Sequence, residues 1–456
     1  MFKAKNMIIE NIDELTSRGN KKGRRIVLEL VEETLNQVNY YNIVKEVTKL
    51  TNDILKIKDL ELDLNGFKNV YVIGGGKNSS SMTRALEEVL DGRIAGGVVV
   101  EKEGYTTQTK HLLIVHGGHP IPSSDSVKAA EEVLRVLNKV GKDDLLLVCV
   151  SGGWTALTSK PPRGISLEDH IAMHRLLMNS GMTVEQMNIV RNHLSQLGRG
   201  KVPMFAKGAT TIGLIAVDEV EGKPWGPTVP DSSKFSDAVR VLVDFDLLDK
   251  VPESIRKYLE TAPPSEESPT PLDYMNNCLK VHNLVIADNI RLCESAQKIA
   301  SKMGINAFVL STSLRGEAKH VGAVVASIAN EIANFNRPFR RPCLLIFGGE
   351  TTVTIVGRSG EGGRNQELAL SAAQYISEGS RIVIASIATD GTDGPTDIAG
   401  AIVDGTLVPR ARRLGINVTQ EQNEHNSSFV FKQTGDAVYA RNTGTNLMDL
   451  ILVYVE

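Results

Sequence analysis

Residues 347–367 read FGGETTVTIVGRSGEGGRNQE, with six glycines, a glutamate directly after Gly348-Gly349, and an Arg-Asn-Gln-Glu run. The β-branched core Thr351–Val356 predicts a short strand between Gly348-Gly349 and a loop over Arg358–Gly363. Gln366–Tyr375 reads as a helix. A glycine-dense loop feeding a helix start leaves backbone N–H groups free to hold an anion. Glycine also lets backbone approach a ligand closely, and Arg364 would stand there as a fixed positive charge. The alternative is a β-hairpin with a glycine-rich turn, and the stretch alone leaves both open.

Upstream, the same strand–polar loop–helix grammar repeats. Val70–Ile73 runs into Gly74-Gly75-Gly76-Lys77-Asn78. Gly97–Val100 ends in Glu101, and Leu112–Val115 ends in His116-Gly117-Gly118-His119-Pro120. Leu145–Val150 ends in Ser151-Gly152-Gly153, and Ile212–Val217 ends in Asp218-Glu219. Helical segments lie between several of them, such as Ser81–Leu90 and Asp125–Val140. Strands alternating with helices predict an α/β fold with a mainly parallel sheet. Ligands of such sheets bind outside the carboxyl ends of the strands, where the glycines and polar residues fall. Met1–Ile57 reads as helices. Leu167–Gly200 is helical and carries Arg191, Asn192 and His193; a solvated arginine on an amphipathic helix is the plain alternative to a crevice role. Thr261–Pro271, TAPPSEESPTP, has four prolines and reads as an exposed linker. Domains over 1–260 and 272–456 follow. Leu284–Ala287, Ala307–Leu310, Cys343–Phe347, Ile382–Ile387, Phe429–Phe431 and Leu450–Val455 are strand-like in the second set.

The 456 residues suit two or three domains. Lys+Arg 51 against Asp+Glu 54 gives a net charge of -3, which argues against a general nucleic-acid surface. No apolar run is long enough for a membrane span, and the N-terminus lacks a signal-peptide core. Cytoplasm is the default. The four cysteines form no CxxC pair.

Lys77, after a strand and three glycines, is placed to meet a phosphate as a point charge; a plain strand-to-helix turn is the alternative. The spacing is not a Walker A loop. It is not a dinucleotide fingerprint either, because Ser79 stands where the third glycine belongs. Asp390 and Asp393 in TDGTDG bracket a glycine turn and would both reach one Mg²⁺; an Asx-type turn is the alternative. Glu350 would bind metal or a hydroxyl, or hold its turn. Asp218 and Glu219 end a strand, where a carboxylate would act as a base toward an alcohol. His119 would hydrogen-bond substrate or serve structure. Ser151 lacks the GxSxG elbow, and no histidine spacing suits zinc. Fixed cations, glycine-lined loops and carboxylates together suit phosphoryl transfer.

Together these motifs resemble the ATP-dependent glycerate 2-kinases with a C-terminal MOFRL domain. The resemblance rests on GGGK at Gly74–Lys77, GGHPIP at Gly117–Pro122, SGG at Ser151–Gly153, MNIVRNHLS at Met187–Ser195 and GPTVPD at Gly226–Asp231. It continues in GGETTVT at Gly348–Thr354, GGRNQELAL at Gly362–Leu370, TDGTDGPTDIAGAIVD at Thr389–Asp404 and TGTN at Thr443–Asn446. It implies a Rossmann-like N-terminal domain, a smaller α/β C-terminal domain and an active site in the cleft between them. It implies ATP and Mg²⁺, D-glycerate as acceptor and 2-phosphoglycerate as product. Lys77, Asp218 or Glu219, and Arg364 fall on the expected catalytic set. Gly75, Gly76, His119, Ser151, Gly152, Gly153, Arg191, Asn192, Asp231, Gly349, Glu350, Thr351 and Asn365 fall on binding motifs.

The chain departs from the family's pattern in three places. Trp154 stands after SGG, where it would narrow the acceptor pocket or change its preference. Asp218-Glu219 shifts the usual aspartate by one residue. Pro224-Trp225 replaces smaller residues. A hydroxypyruvate reductase using NAD(P)H is the alternative activity, and it wants the glycine that Ser79 replaces. A non-catalytic sugar-acid or nucleotide sensor is a third class. Small-molecule partners are expected, with no nucleic acid and no membrane; a homo-oligomer is compatible with the sequence.

Overall fold

The computed structural model describes all residues except 1–6, 105–107, 219–222, 356 and 358. The chain forms two compact units: Met1–Asn39 with Asp218–Lys223 and Ala287–Glu456, and Tyr40–Val217 with Pro224–Ile286.

The second of these begins with a small antiparallel sheet of β1 (Thr48–Thr51), β2 (Ile54–Ile57) and β3 (Leu60–Asp63). Residues 48–57 are therefore strands and not the end of a helical region. Asn52 and Asp53, at φ 49 and 67, form the two-residue turn that joins β1 to β2. Both central positions need positive φ in a turn matched to strand twist, which Asn and Asp tolerate.

The main sheet holds β4 (Val70–Gly75), β5 (Ile94–Lys102), β6 (Leu113–Gly117), β7 (Leu145–Val150), β8 (Thr210–Ala216) and β9 (Val281–Ala287), in the order β6-β5-β4-β7-β8-β9. Strands β4 to β8 pair in parallel. This is the doubly wound, Rossmann-like order, with its switch point between β4 and β7. Every residue of β7 is buried, as both faces are covered. The five expected strands are all present. The proline-rich stretch, however, packs within this unit: the Pro269 carbonyl accepts from Asp231 N at 2.9 Å, and Ser268 is buried. Strand β9, downstream of it, completes the parallel-strand sheet, so the compact units part at Ala287.

The other unit is built on a six-stranded mixed sheet, β10-β11-β15-β12-β13-β14. Its strands are β10 (Asn306–Leu314), β11 (Cys343–Gly349), β12 (Ile382–Ala388), β13 (Gly400–Asp404), β14 (Ala437–Val438) and β15 (Asp449–Val455). Strands β10 and β11 are parallel, and β15 lies antiparallel between β11 and β12. Phe429–Phe431 is not a strand. It lies in the helix Ser427–Thr434, which buries Val430 and Phe431, exposes Phe429, and ends at Gly435 with φ 71. Residues 351–355 do not form a strand either. Thr352 makes one bridge to Glu317, whose carboxylate also accepts from Thr354 N and from both threonine hydroxyls. A side chain thus takes the place of a strand partner. Val356 lies outside the described residues.

The helix Lys21–Gln37 packs on this mixed sheet. Arg24, 0% exposed, donates to Asp404 of β13 at 2.6 Å and pairs with Asp436 at 2.8 Å. Burial alone would raise the Asp404 carboxyl, but Arg24 holds it below the ordinary aspartate range. That stability is present above the unfolded pKa and is lost as pH falls through the folded one. Arg24→Met is expected to cost about 3–5 kcal/mol in urea unfolding, because it leaves the buried Asp404 carboxylate without its counter-ion, while Asp436 keeps Arg410. An unchanged midpoint would show that the pair contributes nothing net. Among the described residues no helix is long and apolar enough to cross a membrane.

Candidate active site

At the switch point, β4 and β7 run side by side to Gly75 and Val150. The loops beyond them are stitched together. Lys77 N donates to the Gly152 carbonyl at 2.7 Å, Ser151 N to the Gly75 carbonyl at 3.1 Å, and Ser151 Oγ to the Lys77 carbonyl at 2.7 Å. Gly76 has φ 116, and a Cβ there would lie 2.2 Å from the Ser151 carbonyl oxygen, so only glycine permits the crossing. A Cβ on Gly153 would come within 2.9 Å of the His119 ring. Gly75, Gly76, Lys77, His119, Ser151, Gly152 and Gly153 are therefore neighbours, gathered from three strand ends.

Trp154 does not line an open pocket. It is 2% exposed, its Nε1 donates to the Leu197 carbonyl at 3.0 Å, and its ring occupies the space over Gly75. The gap it leaves toward Trp225, Asn188 and Asn192 is about 10 Å³, room for one water at most.

The helix Ser79–Leu90 starts from Asn78, at φ 62. Its first N–H groups face a carboxylate from the chain itself. Glu101 of β5, 0% exposed, accepts from Ser80 Oγ at 2.6 Å. Burial raises its pKa, against hydrogen bonds from Ser80 and from the Asn78 backbone.

On the helix Val184–His193, Asn192 is buried, and the charge of Arg191 is felt by the buried His170 and His174. Burial lowers the Arg191 pKa to about 10, so it stays charged at neutral pH. Its Nε is buried without a hydrogen bond. Burial first, and Arg191 second, push His170 down to about 4; His174 falls well below its ordinary value through burial, His170 and Arg191. Arg191 is thus not a solvated surface arginine. A largely desolvated cation favours an anionic partner. Asp231, 7% exposed, accepts from Ser233 N at 3.1 Å and Ser233 Oγ at 2.9 Å.

In the mixed-sheet unit the centre is Arg364. Its Nε and Nη2 donate to Asp449 at 2.7 and 3.0 Å, and its Nη1 to Glu350 at 2.6 Å. Burial works against this charge, but Asp449 and Glu350 outweigh it and hold Arg364 above the ordinary arginine range. Asn365 joins them, donating to Asp449 at 2.8 Å and accepting from Ser386 Oγ. Gly349 is held by backbone, since a Cβ there would meet Leu314 at 2.3 Å, and Thr351 is buried beside it. Asp449 escapes sequence reasoning; its one trace is an aspartate directly before the apolar run Leu450–Val455. Asp218 accepts from Asn446 Nδ2 at 3.2 Å. Glu219 lies outside the described residues.

The start of the Arg364 helix is not an open anion site. Asp393, 1% exposed, accepts from the backbone N–H of Asn365 and Gln366 and from both carboxamides, at 2.9–3.2 Å. Burial nonetheless lifts its carboxyl to about 6. Gly363 is needed for the approach, as a Cβ there would touch the Asp393 carboxyl at 2.3 Å. Asp393 is therefore spent on capping and does not fit a metal ligand, whereas Asp390 forms an Asx-type turn with Thr392. Among the described residues no group of three or more His, Cys, Asp or Glu stands together for a metal. Asp393→Ala is expected to cost about 2–3 kcal/mol of stability, since it orphans buried donors, while leaving the Mg²⁺ concentration for half-maximal turnover within twofold. A tenfold rise in that concentration with unchanged melting would restore Asp393 as a ligand.

Residues 26–260 match a domain of unknown function, DUF4147, and residues 343–449 match the MOFRL family. The chain is 40% identical to the glycerate 2-kinase of Pyrococcus horikoshii over 95% of its length and 97% of that protein's. An Agrobacterium vitis protein with the provisional name hydroxypyruvate reductase is 32% identical over 84% of this chain and 98% of its own. The crystal structure of a glycerate kinase from Thermotoga maritima superposes with a TM-score of 0.80, at 32% identity, covering 95% of this chain and 99% of that one. The chain belongs to the glycerate 2-kinase family.

Proposed function

We propose that the protein transfers the γ-phosphoryl group of ATP to the C2 hydroxyl of D-glycerate, giving 2-phosphoglycerate and ADP. The observation that carries this is the stitched pair of loops at the switch point, which fixes Lys77 at the carboxyl ends of β4 and β7, where ligands of this fold bind. Lys77 and Arg364 are the cations assigned to phosphate charge, because phosphoryl transfer needs positioning and charge neutralisation more than covalent help. Arg191 adds a buried positive charge that favours anionic substrates. Asp218, held by Asn446, is the described carboxylate assigned to the acceptor hydroxyl. Mg²⁺ would be held by Asp390 or Glu350 together with substrate phosphates, and would supply charge neutralisation there. The work is placed in the cytoplasm.

A reductase is disfavoured by one observation. A dinucleotide pyrophosphate would use the start of the helix after β4. There Ser79 replaces the third glycine and its hydroxyl donates to the Val100 carbonyl, while Glu101 puts a carboxylate against the first N–H groups. The test is ³¹P NMR of the protein with Mg-ATP and D-glycerate. A 2-phosphoglycerate signal is expected. A 3-phosphoglycerate signal would move the hydroxyl. NADH or NADPH consumption on hydroxypyruvate with no phosphorylated product would replace the kinase with a reductase.

A further inference from the structure

A pocket of about 470 Å³ opens in the Rossmann-like unit, lined among others by Asn188, Arg199, Asp231, Ser233 and Arg240. It shares Asn188 and Arg199 with the small gap beside Trp154, so it continues the wall of the switch-point loops. Its rim cation, Arg240, is exposed and pairs with Asp237 at 3.4 Å. Arg199 lies deeper, 28% exposed, and stands 3.9 Å from Asp231, beyond hydrogen-bond distance. Its guanidinium is therefore near a carboxylate without its donors being spent on it.

The backbone that carries Arg199 and the Asp231 carboxylate are both held in place. Gly200, at φ 72, leaves room for Pro230, whose Cα would lie 2.9 Å from a Cβ at residue 200. Gly200 N donates to the Gly226 carbonyl at 3.2 Å and Val202 N to the Pro227 carbonyl at 3.0 Å. The Arg199 segment is thereby tied to the loop over residues 226–231. Asp231 is fixed by Ser233, whose hydroxyl also meets His193 Nε2 at 3.3 Å, and by its own N–H to Pro269. A guanidinium carried on a tied segment beside a fixed carboxylate matches a hydroxy acid, which offers an anion to the first and a hydroxyl donor to the second.

We propose that this pocket is the acceptor site and that Arg199 binds the carboxylate of a short hydroxy acid, with Asp231 accepting from one of its hydroxyls. This deepens the kinase reading by naming the residue that selects acids over neutral polyols. The test is calorimetric titration of D-glycerate into wild type, Arg199→Ala and Arg199→Lys, with steady-state kinetics for D-glycerate and ATP and melting curves alongside. Arg199→Ala is expected to weaken D-glycerate binding about 10–100-fold, the loss of hydrogen bonds to a charged group. Arg199→Lys should recover part of it, and the KM for ATP should stay within twofold. Glycerol, which has no carboxylate, should bind wild type and Arg199→Ala alike. Unchanged D-glycerate affinity in Arg199→Ala, no wild-type binding of D-glycerate, or equal losses for D-glycerate and ATP with a lowered melting point would each overturn the assignment. If Arg199→Ala loses D-glycerate binding while wild type makes no phosphorylated product, the pocket stands and the kinase reading falls.

Discussion

Lys77→Ala is expected to lower kcat about a thousandfold, the low end of what one cation on the transferring group supplies, with a melting point close to wild type. The loop crossing should survive because residue 77 holds it through its backbone. Its N–H donates to Gly152 and its carbonyl accepts from Ser151, and alanine keeps both. What is lost is a half-buried ammonium at the carboxyl ends of β4 and β7. Lys77→Arg should recover little, since a planar fork is not a compact point charge. Turnover of Lys77→Ala within threefold of wild type would remove Lys77 from the mechanism. A large fall in melting point would assign its effect to folding.

How far the sequence could be read depended on whether a feature was local. The parallel strands were legible because buried strands give unbroken apolar runs such as Leu145–Val150, and because loops that cross at short range demand glycine. Lys77 and the Ser151–Gly153 loop could be singled out on that ground. Long-range partners left no comparable trace. Arg24 meets Asp404 across 380 residues, so nothing local assigns the first helices to the mixed sheet. Strand β9 follows a proline-rich stretch that reads as a linker, and only its pairing places it in the first sheet. Ser427–Thr434 holds Phe-Val-Phe, a run too short for periodicity to separate helix from strand. The glycine-rich start of the Arg364 helix reads as an anion site because the carboxylate that fills it, Asp393, comes from elsewhere in the chain. Glycine reveals close approach but not what approaches.

Arg364→Ala should fail twice, and the two failures can be separated. Asp449, 1% exposed, accepts both prongs of the guanidinium fork. Without Arg364 it keeps Asn365 and remains a buried charge lacking its counter-ion, which costs about 3–5 kcal/mol. Asp449→Asn removes the same attraction from the other side. The cost of the double variant in urea unfolding should then be close to that of Arg364→Ala alone, with a coupling of about 2 kcal/mol or more. Additive costs would show that the fork contributes no net stability. Activity gives the second measurement, taken well below the lowered melting point. There Arg364→Ala is expected to lose at least about a thousandfold in kcat, as a cation assigned to transferring phosphate should. Asp449→Asn, which leaves the guanidinium in place with its Glu350 contact, should lose far less. If both variants lose equally, Arg364 acts only by holding Asp449 and the Glu350 loop in position, and the charge on the phosphate must be met by Lys77 and the metal.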